Sequence, residues 1–187
     1  AYTVSALSTI THALIISGGI SDIGSLRNIQ LKRGGREIAT LDLYKLLLDG
    51  DTSNDFRLQP ADVIYIPTIG KLASIGGQVL RPAIYELLGD EDLRELIEIA
   101  GGLGPKANMS SASVSRISPE GFMNVIDLDL SLESDLNRRI YNGDHFNVKP
   151  IINERISTVS LVGHVYYPGQ FQYKKDMRVL DLLSQID

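Results

Sequence analysis

The stretch Asp92-Leu93-Arg94-Glu95-Leu96-Ile97-Glu98-Ile99-Ala100-Gly101-Gly102 decides the fold, because it carries a complete helix together with the signals for both of its ends. Asp92 predicts the N-cap, and Glu95 three residues later completes the spacing of a capping box. The apolar residues recur at helical spacing on one face: Leu93, Leu96, Ile97 and Ala100. Gly101 and Gly102 predict the C-cap, since glycine adopts the left-handed conformation without a steric penalty at Cβ.

The same pattern occurs 83 residues earlier, so the chain contains an internal repeat. Residues 9–19 end in the same glycine pair, and gapless alignment at this spacing places Tyr2 on Tyr85 and Arg33 on Arg116. A third copy begins at residues 163–171, which match residues 77–85 at a spacing of 86 residues. We therefore expect a tandem array that is cut at both ends from a longer protein.

The order of predicted elements in the middle copy is hairpin, helix, hairpin and last strand. The predicted strands are residues 72–79, 84–87, 112–117, 123–130 and 145–148. This order predicts an α+β fold of tandem β-grasp domains, each a mixed sheet with one packed helix. The first copy predicts a helical face, a hairpin and a closing strand: Ile10, Ala13, Leu14 and Ser17, then 28–32 with 37–42, then 62–67. The third copy predicts a helical face of Val179, Leu182, Leu183 and Ile186.

The composition limits the class of protein. Of the 187 residues 43% are hydrophobic, which suffices for ordinary cores, and the repeat length favours two or three small domains. The net charge of −5 argues against a nucleic-acid-binding surface, which is typically basic. The sequence has no cysteine, which excludes disulfides, thiolate metal sites and a cysteine nucleophile. It also lacks the run of about 18 apolar residues that a membrane-spanning helix needs.

Three short motifs together resemble one domain family. They are the Pro-Gly-aromatic hairpin start in residues 167–171, the Ala-Gly-Gly helix end at residues 100–102, and the closing strand in residues 59–67. This combination resembles the SLBB domain, the soluble-ligand-binding β-grasp. Tandem copies are similar to the periplasmic part of Wza-type outer-membrane polysaccharide export proteins. Ala83 and Ala61 replace glycines that are usual in the family, which indicates degenerate repeats.

The resemblance implies three domains: a truncated first repeat at residues 1–70, a complete second repeat at 71–153 and the truncated start of a third at 154–187. It implies a periplasmic segment that assembles with copies of itself into a ring-like conduit for capsular or exopolysaccharide. Attachment to the outer membrane would come from parts of the protein outside residues 1–187, and an inner-membrane synthesis or export partner is implied. The resemblance implies no enzyme activity, cofactor, metal or nucleic-acid partner.

Two other functions stay open at this point. A saccharide-binding module would grip glycan without forming a conduit. A glycan-processing enzyme would require two carboxylates at catalytic separation in a cleft. Asp127 and Asp129 alternate with apolar residues along a predicted strand that leads to Glu133, so we expect these acids on its solvent face.

Six residues are candidate contacts for a glycan or a neighbouring subunit: Arg33, Arg116, Arg138, Arg139, Tyr166 and Tyr167. The arginines could face an acidic polysaccharide or pair with carboxylates of the chain itself. The tyrosines offer ring faces on which sugars stack, or they cover the core or another subunit.

Two further sets of polar residues predict structure rather than chemistry. Asp62 and Asp144 recur before a closing strand, and we expect each to bind the backbone two residues on, as in a turn. His12, His145 and His164 lie in different elements without metal-ligand spacing. The serines have no base at a recognisable spacing.

Overall fold

A computed structural model describes residues 8–151 and 158–183 of the chain. The chain divides into two compact units, Ala1–Pro150 and Ile151–Asp187. Within the first unit the buried apolar residues form two clusters, one around each of the first two helices. The domain divisions at 70/71 and 153/154 stay predictions, and the positions expected for Tyr2 and Ile186 lie outside the described residues.

The first copy contains α1 (Ile10–Ile16), β1 (Ile29–Arg33), β2 (Arg36–Leu41), a short π-helix (Lys45–Asp49) and β3 (Val63–Tyr65). The second copy contains β4 (Lys71–Gly77), β5 (Ala83–Leu87), α2 (Leu93–Ile99), β6 (Ala107–Ile117), β7 (Met123–Leu128), α3 (Glu133–Leu136) and β8 (His145–Pro150). The second unit contains β9 (Thr158–Leu161), β10 (Gly169–Gln172) and α4 (Val179–Leu183).

The sheet of the second copy has the strand order β5-β4-β8-β6-β7. Strands β4 and β8 are parallel, whereas the other neighbours are antiparallel. Helix α2 packs on one face of this mixed sheet. In the first copy the order β2-β1-β3 repeats the order β7-β6-β8 of the second. The predicted α+β fold, a mixed sheet with one packed helix, is confirmed.

Helix α2 forms as its sequence predicts. The Glu95 N–H donates to Asp92 Oδ1 at 3.0 Å, and the Asp92 N–H donates to Glu95 Oε2 at 3.0 Å, which completes the capping box. The four residues of the predicted face are all buried in the core of the second copy. Gly101 and Gly102 have φ angles of +83° and +95°, so the glycine C-cap is also confirmed.

Helix α1 follows its prediction only in part. Ile10 and Leu14 are buried, as expected from the helical spacing. Ser17, which was expected on the same face, is instead the exposed C-cap residue, because the helix ends at Ile16. The predicted helical face is therefore one turn shorter than its spacing indicated.

One predicted strand boundary and one predicted helical face also differ from the structure. Strand β7 ends at Leu128 instead of residue 130, because the Asp129 carboxylate accepts the Ser131 N–H at 2.9 Å and turns the chain. In α4, Leu182 is buried but Val179 is 74% exposed. The predicted helical face of α4 is therefore wrong at Val179.

In both copies an arginine and an aspartate form a bidentate ion pair, with two hydrogen bonds each. Arg33 donates through Nε and Nη2 to the carboxylate oxygens of Asp62, at 2.7 and 2.9 Å. Arg116 makes the equivalent bonds to Asp144, at 2.8 and 2.7 Å. Each arginine lies on the first strand of a hairpin, and each aspartate comes just before the closing strand. The pair therefore ties these two neighbouring strands together.

The aspartates also bind the backbone, but at a different position from the one predicted. Asp62 Oδ2 accepts the N–H of Gln59 at 2.8 Å, and Asp144 Oδ2 accepts the N–H of Tyr141 at 2.9 Å. The backbone partner thus lies three residues before the aspartate and not two residues after it. A turn role was expected correctly, whereas the arginine partner was not.

Arg27 is buried where the two copies meet. Its Nε donates to Asp42 Oδ2 at 3.1 Å within the first copy. Its Nη1 donates to Glu91 Oε1 at 2.7 Å and to the carbonyl oxygen of Glu86 at 3.1 Å, both in the second copy. The guanidinium carbon also lies 5.0 Å from the centroid of the Tyr44 ring. One side chain therefore binds both copies.

Glu86 on β5 completes this junction from the second copy. Its carboxylate accepts the N–H groups of Leu26 and Gly70 at 2.8 and 3.1 Å. Its own N–H donates to the Tyr44 hydroxyl oxygen at 3.0 Å. Because Glu86 is buried, these bonds replace the water that would otherwise solvate its charge.

We predict that Leu96→Ala lowers the free energy of unfolding by about 2–5 kcal/mol, because it removes buried methyl groups and leaves a cavity beneath α2. Chemical denaturation would measure the change. An unchanged midpoint and slope would contradict the burial of this face.

We predict that Asp144→Asn destabilises the chain by about 2–3 kcal/mol. This is below the roughly 3–5 kcal/mol of a fully buried pair, because Arg116 keeps some contact with water. Asp127→Asn is the matched control, since Asp127 is exposed on the same sheet. Equal stability of the two variants would show that the ion pair contributes nothing.

The ion pair also predicts a pH dependence. The bonds from Arg33, aided by the Gln59 N–H, hold the pKa of the Asp62 carboxyl below its ordinary value. A carboxyl whose pKa is lower in the folded chain stabilises the fold above its unfolded pKa of about 4, and this contribution is lost as the pH falls through the folded pKa. We expect Asp62→Asn to lose less stability than the parent chain below pH ~4 in denaturation experiments. Parallel pH profiles would rule out this linkage.

Candidate ligand-binding surface

The sheet of the second copy has one face packed by α2 and one open face. Alternate residues along each strand point to opposite faces. Four strand residues belong to the core beneath α2: Ile75, Val114, Leu128 and Phe146. Their neighbours along the chain therefore lie on the open face, where polar and small residues dominate: Ser74, Gly76, Ser113, Ser115, Asp127, His145 and Asn147.

The strand register places these residues in two rows across the sheet. In the first row His145 lies between Ser74 on β4 and Ser115 on β6. The Ser74 hydroxyl and His145 Nδ1 are hydrogen-bonded at 2.7 Å. The histidine ring is exposed. The row therefore presents hydroxyl and imidazole groups, each able to donate or accept.

In the second row Asn147 lies between Gly76 and Ser113, and Asp127 lies beside Ser113. The amide and carboxylate add oriented acceptors and donors to those of the first row. Gly76 carries no side chain, which leaves the surface low at this point. The arrangement suits a flat ligand that is rich in hydroxyl groups.

Apolar side chains flank the polar rows at both edges of the sheet. Ile84 is paired with Ser74 at the β5 edge, and Val125 is paired with Ser115 at the β7 edge. Both are exposed. A sugar ring has apolar C–H faces between its hydroxyls, so the combination of polar rows and apolar edges matches its chemistry. We call the two rows and their flanks the open sheet face.

The three acids considered for catalysis lie in different local settings. Asp127 is exposed on the open sheet face, whereas the Asp129 carboxylate is engaged in a turn with Ser131. Glu133 forms an ion pair with Arg94 of α2. Only Asp127 is thus available on the open sheet face to a ligand.

The structure separates the six predicted contact residues. Arg33 and Arg116 are held in their aspartate pairs, and Arg116 also lies 4.1 Å from the centroid of the Tyr141 ring. Arg138 pairs with Asp135 at 2.9 Å. These three cations are therefore already neutralised within the chain, which weakens them as glycan contacts.

The remaining three predicted contacts are more accessible. Arg139 is exposed and donates to the carbonyl oxygen of Gly89 at 3.3 Å. Tyr166 and Tyr167 lie in the loop between β9 and β10 of the second unit, where Tyr166 is 97% exposed. They are not part of the open sheet face, so their contact role stays a prediction.

The sequence did not identify the pair of Ser74 and His145. The two residues are 71 positions apart and meet only through the parallel pairing of β4 with β8. The alternation along each strand was visible in the sequence. Which alternating strands lie side by side was not, because parallel neighbours in a sheet are joined by long connections.

Metal-ligand groups and membrane-spanning helices were sought among the described residues. Within residues 8–151 and 158–183, no three histidine, aspartate or glutamate side chains are grouped closely enough to hold a metal ion. No helix in this part of the chain has the length and apolar character needed to cross a membrane.

Comparison with known families bears on the second copy. Residues 72–127 match the family model of the SLBB domain. The matched segment runs from β4 to β7 and carries Ser74, Ser113 and Ser115, whereas His145 and Asn147 follow it on β8. The resemblance seen in the sequence motifs is therefore confirmed for this copy. The chain contains an SLBB domain, a soluble-ligand-binding β-grasp module, at residues 72–127.

Proposed function

We propose that the chain is a periplasmic structural segment of a polysaccharide export protein and forms part of an oligomeric passage for capsular or exopolysaccharide. The observation that carries this proposal is an SLBB domain preceded by a second β-grasp copy with the same helix, hairpin and ion pair. Tandem domains with the same fold can stack on one another to form the wall of such a passage.

The junction between the two copies supports a structural role. Arg27 and Glu86 are buried and bind across it through several hydrogen bonds. Charged groups that bond in a buried setting restrict the geometry more than apolar packing does. The first two modules therefore act as one rigid element, which is the property that a wall segment needs.

The open sheet face supports contact with glycan. It offers hydroxyl, amide and imidazole groups and the Asp127 carboxylate, whereas three of the predicted arginines are paired within the chain. A passage must release its cargo, so weak contacts that recur in every subunit are better suited than one tight site. Repetition of such a surface raises the overall affinity without tightening any single contact.

The saccharide-binding module without a conduit remains the alternative. The hydrogen bond between Ser74 and His145 favours it, because a fixed imidazole is a feature of a defined binding site. The two functions differ in affinity and assembly. A module would bind one sugar tightly as a monomer, whereas a passage segment would bind weakly and assemble.

We propose no catalytic activity for the chain. Ser74 lies within a strand and its N–H donates to the carbonyl oxygen of Asp144 at 2.9 Å, so it is not placed at a strained turn like a hydrolase nucleophile. The three candidate acids lie in separate settings, as described above. The partners in this proposal are polysaccharide, further copies of the chain and an inner-membrane synthesis or export protein. Outer-membrane attachment would lie elsewhere in the protein.

We predict weak binding of acidic and neutral oligosaccharides, with a Kd of about 1 mM, and no turnover. His145→Ala and Asn147→Ala should each reduce binding several-fold, because they remove polar groups from the open sheet face. His164→Ala is the matched control, since this histidine is exposed in the second unit. Calorimetry, glycan turnover assays and the mass of the full-length protein in solution would measure these outcomes.

Three results would contradict parts of the proposal. Turnover that is abolished by Asp127→Asn would identify an enzyme. Submicromolar binding of one defined sugar by a monomeric full-length protein would establish the binding module. Unchanged glycan binding in both open-face variants would place the contact elsewhere.

A further inference from the structure

Strand β7 is an outer strand of the five-stranded sheet, and one side of its backbone is unpaired. It pairs with β6, and no other strand among the described residues pairs with it. The Ser118 N–H donates to the Phe122 carbonyl oxygen at 2.8 Å, which sets the alternation of bonded and non-bonded residue pairs along this hairpin. Met123, Val125 and Asp127 therefore direct their N–H and carbonyl groups away from β6.

The unpaired edge belongs to a complete copy. The second copy contains its helix and all five strands of its sheet, so no strand of this copy is missing beside β7. At the opposite edge the first copy covers the backbone of β5. The Glu86 N–H donates to the Tyr44 hydroxyl oxygen at 3.0 Å, and the Glu86 carbonyl accepts a bond from Arg27 at 3.1 Å. The two edges of one sheet are thus treated differently within the described residues.

Strand β7 lacks the features that usually prevent an edge strand from pairing with another chain, which are lysine, proline and bulges. Its sequence is Met-Asn-Val-Ile-Asp-Leu, and its register with β6 is regular. The equivalent edge strand of the first copy is β2. It begins with Arg36 and Glu37, and an irregularity between Leu31 and Lys32 interrupts its register with β1. The first copy therefore blocks pairing at this edge, whereas the second permits it.

Large apolar side chains are exposed beside the unpaired edge. Met123 and Val125 lie on the open side of β7, and Ile117 on β6 is paired with Met123. All three are between 65% and 69% exposed. Single exposed apolar residues are common on protein surfaces, but adjacent ones indicate a contact surface. The backbone edge and the apolar strip lie together, as a pairing surface requires.

We propose that β7 pairs in antiparallel orientation with β7 of a second copy of this chain, about a two-fold axis at Val125. The two Val125 residues face each other in this register. Met123 lies opposite Asp127 of the partner subunit, and Asp127 lies opposite Met123 of the partner subunit. Each of these pairs exchanges two backbone hydrogen bonds, so all outward-facing groups of β7 are satisfied.

Charge and symmetry select this register. An axis at Asp127 would place two carboxylates directly opposite each other, which is destabilising. An axis at Met123 would place Val125 and Asp127 opposite the hairpin loop of the partner rather than opposite its strand. The axis at Val125 pairs strand with strand and separates the two carboxylates by about 13 Å along the strands. The strand is therefore complementary to itself, which favours a second copy as its occupant.

The contact goes beyond the proposed passage. A two-fold contact closes after two chains, whereas a ring needs a contact between two different surfaces of neighbouring chains. Pairing through β7 joins two five-stranded sheets into one and places their open sheet faces on the same side. It requires no glycan. The two-fold contact, the ring and the binding of sugar can therefore fail independently.

Sedimentation velocity of the 187-residue chain without glycan, between about 1 µM and about 1 mM, would measure the association. We expect the mass to rise with concentration from one chain to two and no further. Val125→Lys should weaken association by about tenfold or more, because it removes an apolar contact and places two lysines opposite each other. Met123→Lys should stay within about threefold of the parent chain, because each lysine then lies opposite Asp127 of the partner subunit.

Ile84→Lys is the matched control for the two lysine variants. Ile84 is 68% exposed and lies on the same face of the sheet, but at the β5 edge. This variant should associate like the parent chain. Circular dichroism would verify that all three variants are folded.

Cross-linking through an introduced cysteine tests the position of the axis. The chain has no cysteine of its own. Val125→Cys places two thiols opposite each other, at a Cα separation of about 5.5 Å that a disulfide can span. Glutathione disulfide is the oxidant: the two protein thiols form one disulfide, and the oxidant is reduced to two molecules of glutathione. Asp127→Cys is the matched control, because its two positions are about 13 Å apart in this register.

Four results would overturn the proposal. The first is a parent chain that stays monomeric up to about 1 mM. The second is a mass that grows beyond two chains. The third is an equal effect of Val125→Lys and Met123→Lys, since only the proposed register distinguishes them. The fourth is cross-linking of Asp127→Cys that is as fast as that of Val125→Cys.

Discussion

The paired arginine and aspartate constrain each β-grasp copy, because they join the hairpin to the closing strand at a fixed register. Asp144 is 1% exposed, and a slip of one residue would separate it from Arg116 and leave a buried charge unpaired. Apolar residues could pack in the same space, but they would not select one register. The two bonds of each pair and the added backbone N–H make the native strand register more stable than a register shifted by one residue.

The junction fixes the position of the second copy relative to the first. The segment after β3 is not a free linker, since the Pro67 carbonyl accepts the Ser25 N–H at 2.9 Å and the Ile69 N–H donates to the Ile23 carbonyl at 2.8 Å. Burial opposes ionisation of Glu91, yet the N–H groups of Leu88 and Gly89 and the charge of Arg27 outweigh it and lower its pKa. The carboxylate therefore stays charged at neutral pH. The spacing of the two copies is fixed by polar bonds that leave little freedom for bending.

The sequence predicts best where the determining contacts are local. Helix α2 has its cap, apolar face and glycine end within eleven residues, and all three are found as expected. Glu86 is the opposite case, because its burial depends on Leu26 and Tyr44 of the preceding copy. The open sheet face is intermediate. Its alternation is local, but the meeting of Ser74 with His145 depends on the pairing of distant strands. Long-range pairing leaves no periodic signal in a single sequence.

The C-terminal end of the helix is a further constraint on each β-grasp copy. A helix ends with carbonyl groups that lack partners, and the second copy supplies them from the hairpin loop. Because those bonds use the backbone, selectivity between copies must come from side chains. Arg81 places its Nη2 3.1 Å from the Ile99 carbonyl oxygen at the negative end of α2, where a cation is favoured. The aligned Tyr167 is uncharged and lacks this attraction. The loop of the third copy therefore lacks the cationic contact with which the loop of the second copy binds the end of α2.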